Sequence, residues 1–430
     1  MARIRGDGSV YQDKVTGRWR AVVPIGTDDT GRPKRVYLTA ATAADVELKR
    51  RKLIRARDAG TLPTSGSLTV QSWLTIYLDT LDPTRVRPRT AAGYREKMRN
   101  YVVPAIGRVR LDRLRPEHLE RVTQAMRDKG RSPSTIAHTH RVLRRALKIA
   151  YRRGHLTADI TTMVDVPSAP PRTIQPFTRA DARKVLVAAA GTRRESRWSV
   201  AFAVGLRQGE ALALAWDMVD LDAGTLRVER ELVRLFARHG CDPRPGGTWS
   251  CKQSRPGLCP RRIGTSGLVL DRPKSEASRR NITLPATLVD ALRRRRIEQD
   301  RERVEEGRRW KGWTVQDVDG ATRSIDLVWG QRSGAPVDSR RDWQEWRDLL
   351  GAAGVDARRL HDARHTCATL LLAQGVPARV VMDVLGHAAI GMTVHYTKVA
   401  PELAVGAAEQ MDDALWGTDD LAARRRQRGV

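Results

Sequence analysis

The residues with the most chemistry to offer lie near the C-terminus. His361-Asp362-Ala363-Arg364, then Leu385-Gly386-His387, then Tyr396 bring two imidazoles, a guanidinium and a phenol into one short stretch. A phenol can serve as an oxygen nucleophile, and imidazole moves protons near neutral pH. The planar donors of a guanidinium match two non-bridging phosphate oxygens. Together these groups would equip a chain to cut a phosphodiester without a metal ion. His361 and Arg364, three apart on a predicted helix, share a face, though such pairs are common on helices by chance. Gly386 is expected to end the following helix and set His387 at its tip. Tyr396 alone could be a core aromatic with a satisfied hydroxyl. The order and spacing of the whole set carry the reading.

Composition points to the partner of such chemistry. The chain has 430 residues, 78 Lys+Arg against 49 Asp+Glu, and a formal net charge of +29. An excess of this size, spread along the whole chain, implies an extended contact with a polyanion, nucleic acid first. No N-terminal apolar segment or membrane-spanning run is apparent, so a soluble protein of the bacterial cytoplasm or nucleoid, with no membrane partner, is expected. Four cysteines in this length argue against a disulfide framework. No phosphate-cradling G-x-x-x-x-G-K-[ST] loop occurs, which disfavours ATP-driven action, and no cofactor is expected.

The elements that must position these groups fall into segments. Ser9–Tyr11, Arg18–Val23 and Arg35–Leu38 read as strands, separated by turns at 13–17 and 28–31, with a helix from Ala43 to Ala59 ended by Gly60. A ribbon so rich in Arg and Lys suits a DNA groove; a charged sheet that merely packs on its helix is the alternative. Residues 67–160 read as all-helical, with Trp73, Leu74, Tyr77 and Leu78 at helical spacing and proline starts at Pro88, Pro116 and Pro133. The last of these helices carries Arg141, Arg144, Arg145, Lys148, Arg152 and Arg153, more cations than a solvated face needs. Residues 161–176 form a Pro-rich linker. Beyond it, 178–190 and 197–215 read as helices, and 216–228 as a strand, turn and strand. Leu268–Leu270 and Asn281–Leu284 read as a hairpin with Lys274 near its turn, 288–310 as a long charged helix, and the chain from Arg359 as helical again. The fold class is thus α-rich and multidomain: a mostly helical large domain with a small antiparallel sheet, a helical domain before it, and an N-terminal three-stranded β-unit plus helix. No alternating βαβ pattern is present.

With these motifs in view, the chain resembles the tyrosine recombinase or phage integrase family over essentially its whole length. Gly205-Leu206-Arg207-Gln208-Gly209-Glu210 is similar to the family's first arginine motif, and Pro273-Lys274-Ser275 followed by Ser278–Pro285 to its lysine-bearing hairpin. The resemblance implies a site-specific DNA recombinase, an integrase of a phage or other mobile element. It implies catalytic roles for Arg207, Lys274, His361, Arg364, His387 and Tyr396. Tyr396 would be the nucleophile, the two arginines the clamp, Lys274 the general acid, His361 the general base, and His387 a phosphate ligand. It further implies an arm-type DNA-binding domain at 1–62, a core-binding domain at 67–160, a catalytic domain at 177–417 and a basic tail at 418–430. The partners implied are double-stranded DNA at attachment-type sites, a homotetramer on that DNA, and an accessory directionality factor. The helix expected at Pro401–Trp416 would dock on a neighbouring subunit.

Rival readings stand beside these. Lys252 competes with Lys274; Glu210 supports Arg207 rather than reacting; His365 and His395 are packing or DNA contacts, and Cys367 is a core residue. A non-catalytic architectural DNA-binding protein, or a type IB topoisomerase-like enzyme, would share the charge. One insert stands apart, His239-Gly240-Cys241 to Cys251 and Cys259. These four residues could hold a structural zinc ion, although spacings of nine and seven match no standard pattern. The alternative is an exposed flexible loop with free thiols, and no metal residue is assigned.

Overall fold

The computed structural model describes residues 8–27, 32–58, 68–170, 175–242, 244, 248–316 and 322–386. The turn at 28–31, Gly60, His387, His395, Tyr396, the helix at 401–416 and the tail lie outside them. The chain divides into two compact units, Met1–Pro171 and Arg172–Val430.

The first unit opens with β1 (Ser9–Gln12), β2 (Trp19–Thr27) and β3 (Pro33–Ala40), an antiparallel sheet in that order, followed by α1 (Ala43–Asp58). Alternation puts buried Ala21 and Val23 of β2 on one face, where Ala21 packs with Ala40 and with Val46 of α1. Opposite Val22, Tyr37 remains largely exposed. The helical part comprises α2 (Val70–Asp79), α3 (Pro88–Lys97), a π turn at Met98–Val102, α4 (Val103–Ile106), α5 (Pro116–Asp128) and α6 (Pro133–Arg152). Thr69 and Ser132 cap α2 and α6, accepting from the amides of Ser72 and Thr135 at 3.2 and 3.3 Å. Trp73, fully buried, donates from its indole to the Ala146 carbonyl at 3.0 Å and so ties α2 to α6. Leu143, Ala146, Leu147 and Ala150 face this core, while Arg141, Arg145, Lys148 and Arg152 form an exposed stripe at three- and four-residue steps.

The second unit begins with α7 (Arg179–Ala189), α8 (Glu195–Ala203) and the short α9 (Gln208–Leu212). It continues through β4 (Val219–Asp220), β5 (Thr225–Val228), β6 (Glu231–Leu235), β7 (Gly267–Asp271) and β8 (Arg280–Thr283). Then follow α10 (Ala286–Glu306), the hairpin β9 (Trp313–Gln316) and β10 (Thr322–Ile325), α11 (Ser339–Ala352), α12 (Leu360–Ala373) and α13 (Ala378–Leu385). The main apolar core lies between α9, the strands and α10, around Leu212, Leu226, Ile282, Leu292 and Trp329. A second cluster, with Phe177, Trp198, Phe202 and Trp346, joins α7, α8, α11 and α12.

Two expectations are corrected. The helix expected at 197–215 is broken: Gly205 adopts φ +61° between α8 and α9. A Cβ there would sit 2.7 Å from Leu385 Cδ2 and 3.3 Å from Arg364 Cγ, so the break also lets α12 and α13 approach. Nor do the segments flanking Lys274 pair with each other. β7 pairs with β6 and β8 with β5, so 225–235 and 267–283 form one interrupted antiparallel ribbon from which residues 272–279 bulge.

Candidate active site

Arg207, Arg364 and the loop bearing Lys274 meet at the C-terminal end of α13. Arg207 sits at the N-cap of α9, just past the Gly205 break. Its backbone amide donates to Glu210 Oε2 at 3.0 Å and its Nη1 to Glu210 Oε1 at 2.6 Å. Its Nη2 donates to the Gly386 carbonyl at 3.0 Å. Arg364, on the buried face of α12, donates from Nη1 to the Gly205 carbonyl at 2.6 Å and from Nη2 to the Leu385 carbonyl. Arg280, at the start of β8, donates from Nε to the Val384 carbonyl at 2.7 Å. Three guanidiniums thus take the last three carbonyls of one helix turn, where the helix dipole is negative. Gly386 makes the turn possible. It adopts φ +66°, and a Cβ there would lie 2.8 Å from Arg280 Nη1.

Glu210 holds the group together. Its Oε2 also accepts from Arg280 Nη2 at 3.0 Å, so one buried carboxylate joins two arginines. Burial raises its pKa, but the charges of Arg280 and Arg207 pull further the other way and lower it overall. Arg207 and Arg280 share the single carboxylate of Glu210, which leaves one positive charge in excess within this trio, an electrostatic invitation to an anion.

The loop after β7 is stitched to the same cluster. Ser278 Oγ accepts from Arg207 Nη1 at 3.3 Å and its carbonyl from Arg280 Nη1 at 2.8 Å. Lys274 lies four residues before Ser278, beside buried Pro273, with its side chain in solvent. The tie therefore runs through Ser278 rather than through Lys274 itself.

His361 stands at the first turn of α12, whose N-terminus Asp362 fixes by accepting from the Arg359 amide at 3.0 Å. The His361 ring reaches solvent, yet desolvation and the nearby guanidiniums of Arg364, Arg359 and Arg207 lower its pKa. The neutral, proton-accepting form is thereby favoured near neutral pH. His365, stacked edge-on against it at 4.7 Å, is buried, and desolvation with His361 beside it brings its pKa to about 4. Cys367 is buried, its thiol pushed up to about 12 by desolvation. His387 follows Gly386 directly in the chain but, like Tyr396, is outside the described residues. Sequence reasoning missed Arg280 and Ser278. Both stood inside the quoted lysine motif, where nothing local in the sequence set Arg280 apart from the arginines around it.

The insert between β6 and β7 differs from an exposed loop. Cys241 and Cys259 are buried, and His239, Cys241, Cys251 and Cys259 gather with their donor atoms all within 4.8 Å of one another.

An α-rich domain with a small sheet that presents converging arginines to an anion defines a class of enzyme acting on phosphate esters of a long polyanion. Known proteins narrow this. Residues 272–402 match the phage integrase family, and residues 69–127 the SAM-like N-terminal domain of phage integrases. An integrase of Saccharopolyspora erythraea is 34% identical over 430 aligned positions, covering 94% of this chain and 95% of that one. A XerC-like tyrosine recombinase of Caldanaerobacter subterraneus is 25% identical, covering 92% and 96%. In fold, the chain resembles the Tn1549 transposon integrase solved with a circular intermediate DNA, at TM-score 0.59 and 18% identity over 80% of this chain and 100% of that one. It also resembles the lambda integrase tetramer bound to a Holliday junction, at TM-score 0.51 and 14% identity over 92% and 96%. The chain belongs to the phage integrase family of tyrosine recombinases and is a site-specific DNA recombinase of the integrase type. That sets aside the architectural and topoisomerase-like readings. No helix among the described residues is long and apolar enough to cross a membrane.

Proposed function

We propose that the chain cuts and rejoins duplex DNA through a 3′-phosphotyrosyl intermediate, using Arg207, Lys274, His361, Arg364, His387 and Tyr396, with neither ATP nor a metal ion in the step. The Tyr396 oxygen attacks the scissile phosphorus as its proton passes to His361. The new P–O(Tyr) bond replaces the bond to the 5′-oxygen, which leaves with a proton from Lys274. The two guanidiniums stabilise charge on the non-bridging oxygens, with His387 donating to the same group. One phosphodiester is exchanged for another, so rejoining to a second strand needs no external energy.

The observation that supports this most is the convergence of Arg207 and Arg364 on adjacent carbonyls, 386 and 385, immediately before His387. The lowered pKa of His361 supports its role as base. Around that centre we assign residues 1–62 to an arm-type DNA-binding domain, 67–160 to a core-binding domain, 161–176 to a linker, 177–417 to catalysis and 418–430 to a basic tail. The exposed cation stripe of α6 supports a DNA-facing core-binding domain. The working form would be a homotetramer on paired attachment-type sites in the bacterial cytoplasm or nucleoid, its direction set by an accessory factor.

A nicked duplex bearing the attachment site tests the reading on a denaturing gel. A 3′-linked covalent adduct is expected with the wild type, in EDTA as well, and none with Tyr396→Phe. An adduct that persists in Tyr396→Phe rules out this nucleophile, and one formed equally on any DNA rules out site specificity.

A further inference from the structure

The insert at residues 236–266 is too poor in apolar contacts to fold by burial. None of the catalytic unit's hydrophobic clusters takes a described residue from it, while Phe236, Leu258 and Ile263 stand exposed. Yet its chain is held closely. Arg238 and Ile263 exchange backbone hydrogen bonds at 3.0 and 2.9 Å, closing the stem beyond β6 and β7. Gly240 lies so near the opposite strand that a Cβ would sit 2.1 Å from the Arg261 carbonyl. Lys252 adopts φ 59°, a left-handed conformation unusual for a side chain of its size, one residue after Cys251. A lobe with ordered turns and no core needs another source of cohesion.

The four donors supply it. Cys241 Sγ lies 3.3 Å from Cys251 Sγ and 3.7 Å from Cys259 Sγ. His239 Nδ1 lies 3.7 Å from Cys241 Sγ and 3.5 Å from Cys251 Sγ. Bond lengths of about 2.3 Å to sulfur and about 2.05 Å to nitrogen, set at tetrahedral angles, give edges of about 3.8 Å for S···S and about 3.5 Å for S···N. The four observed edges lie within about 0.5 Å of this tetrahedron, all four donors lie within 4.8 Å of one another, and all four cysteines of the chain are free thiols, well beyond disulfide length. Cys259 is fully buried, and the His239 ring is stacked on Trp249 at 4.3 Å and 13°, which fixes its plane. Its far nitrogen, Nε2, has no hydrogen-bond partner among the described residues, so it is Nδ1 that faces the sulfurs.

We infer that His239, Cys241, Cys251 and Cys259 bind one Zn²⁺ in a closed Cys₃His site that staples the insert. A closed set of four protein donors leaves no position for water, so the ion is structural and takes no part in strand cleavage. Binding converts three thiols to thiolates with release of their protons, leaving the site one negative charge, which Lys252, Arg255, Arg261 and Arg262 surround in sequence.

Zinc content of the full-length protein, purified under reductant, tests this directly. One zinc per chain is expected, falling to near zero in Cys251→Ser and in His239→Ala, and unchanged in Cys367→Ser. Replacement by Co²⁺ is expected to give the visible bands of a tetrahedral, thiolate-rich site. Chelation is expected to open the lobe to trypsin at Arg244–Arg262 with no loss of helical circular dichroism. Reduced wild-type protein that takes up neither Zn²⁺ nor Co²⁺ overturns the inference, as does zinc retained in full by Cys251→Ser. Measuring zinc and DNA adduct on the same preparation separates this inference from the catalytic reading, since either can fail while the other stands.

Discussion

Two groups of arginines lie at the two ends of helix α8 and are treated in opposite ways. At its start, Arg197 is fully buried and gripped by Asp342 through two bonds of 3.1 and 2.9 Å, with the Trp198 and Trp329 rings 5.0 and 5.8 Å away. Nearby, Arg295 holds Glu298 at 2.8 Å, and Glu302 of α10 takes Arg193 and Arg295 together; the Glu302 pKa falls to about 2, the two arginines outweighing the burial that raises it. Beyond its end, Arg207 and Arg280 share the Glu210 carboxylate, and these two and Arg364 also donate to backbone carbonyls. The first group neutralises its charge and fastens helices. The second is oriented by dipoles that do not cancel it. Burial and hydrogen bonding are similar in both; the count of carboxylates separates framework from chemistry.

Breaking the framework is expected to cost most. Asp342→Ala leaves Arg197 buried without its counter-charge and should lower stability by about 3–5 kcal/mol in denaturant unfolding. The double replacement Arg197→Met with Asp342→Leu is expected to recover most of that loss. Because Gln208, next to Arg207, also donates to Asp342 at 3.0 Å, the recovered protein should cleave slightly slower. On the other side of the comparison, Arg364→Lys keeps the charge but loses the fork. Adduct formation in single-turnover kinetics is expected to slow by about 10²–10³, or about 2.7–4 kcal/mol, with DNA affinity nearly unchanged.

The pH dependence sharpens the contrast further. His365 has its pKa lowered from 6.5 to about 4, so its stabilisation is complete above 6.5 and is lost as pH falls through 4. Unfolding curves should show a loss of at most about 3 kcal/mol across that window, flattened in His365→Gln. Glu302 and Glu210, with lowered pKa values, contribute above their unfolded pKa and lose it only at lower pH. The smallest effect is expected from Glu210→Gln, which keeps the shape and removes the shared charge. Stability should fall by about 1–3 kcal/mol, and cleavage by about tenfold as Arg207 loses its guide.

Much of this was legible in the chain. Proline starts marked α3, α5 and α6, and apolar residues at helical spacing marked α2, because those signals act locally. The motif residues Arg207, Lys274, His361 and Arg364 were visible by type and order. What escaped was long-range. Gly205 sits inside an apolar run of good helix formers, and only the approach of Leu385 reveals why the helix must stop there. Strand partners for β7 and β8 depend on β5 and β6, more than thirty residues upstream of each. Arg280 looked like one cation among many until a carboxylate seventy positions away, Glu210, picked it out.

The carbonyl partners of Arg207 and Arg364 have a consequence for how a phosphate would enter. Arg364 donates to the neutral carbonyl oxygens of Gly205 and Leu385, and an incoming oxyanion exchanges such an acceptor for a better one. Ionic strength should therefore weaken docking along the duplex steeply while leaving the bond-breaking rate of the docked complex almost flat.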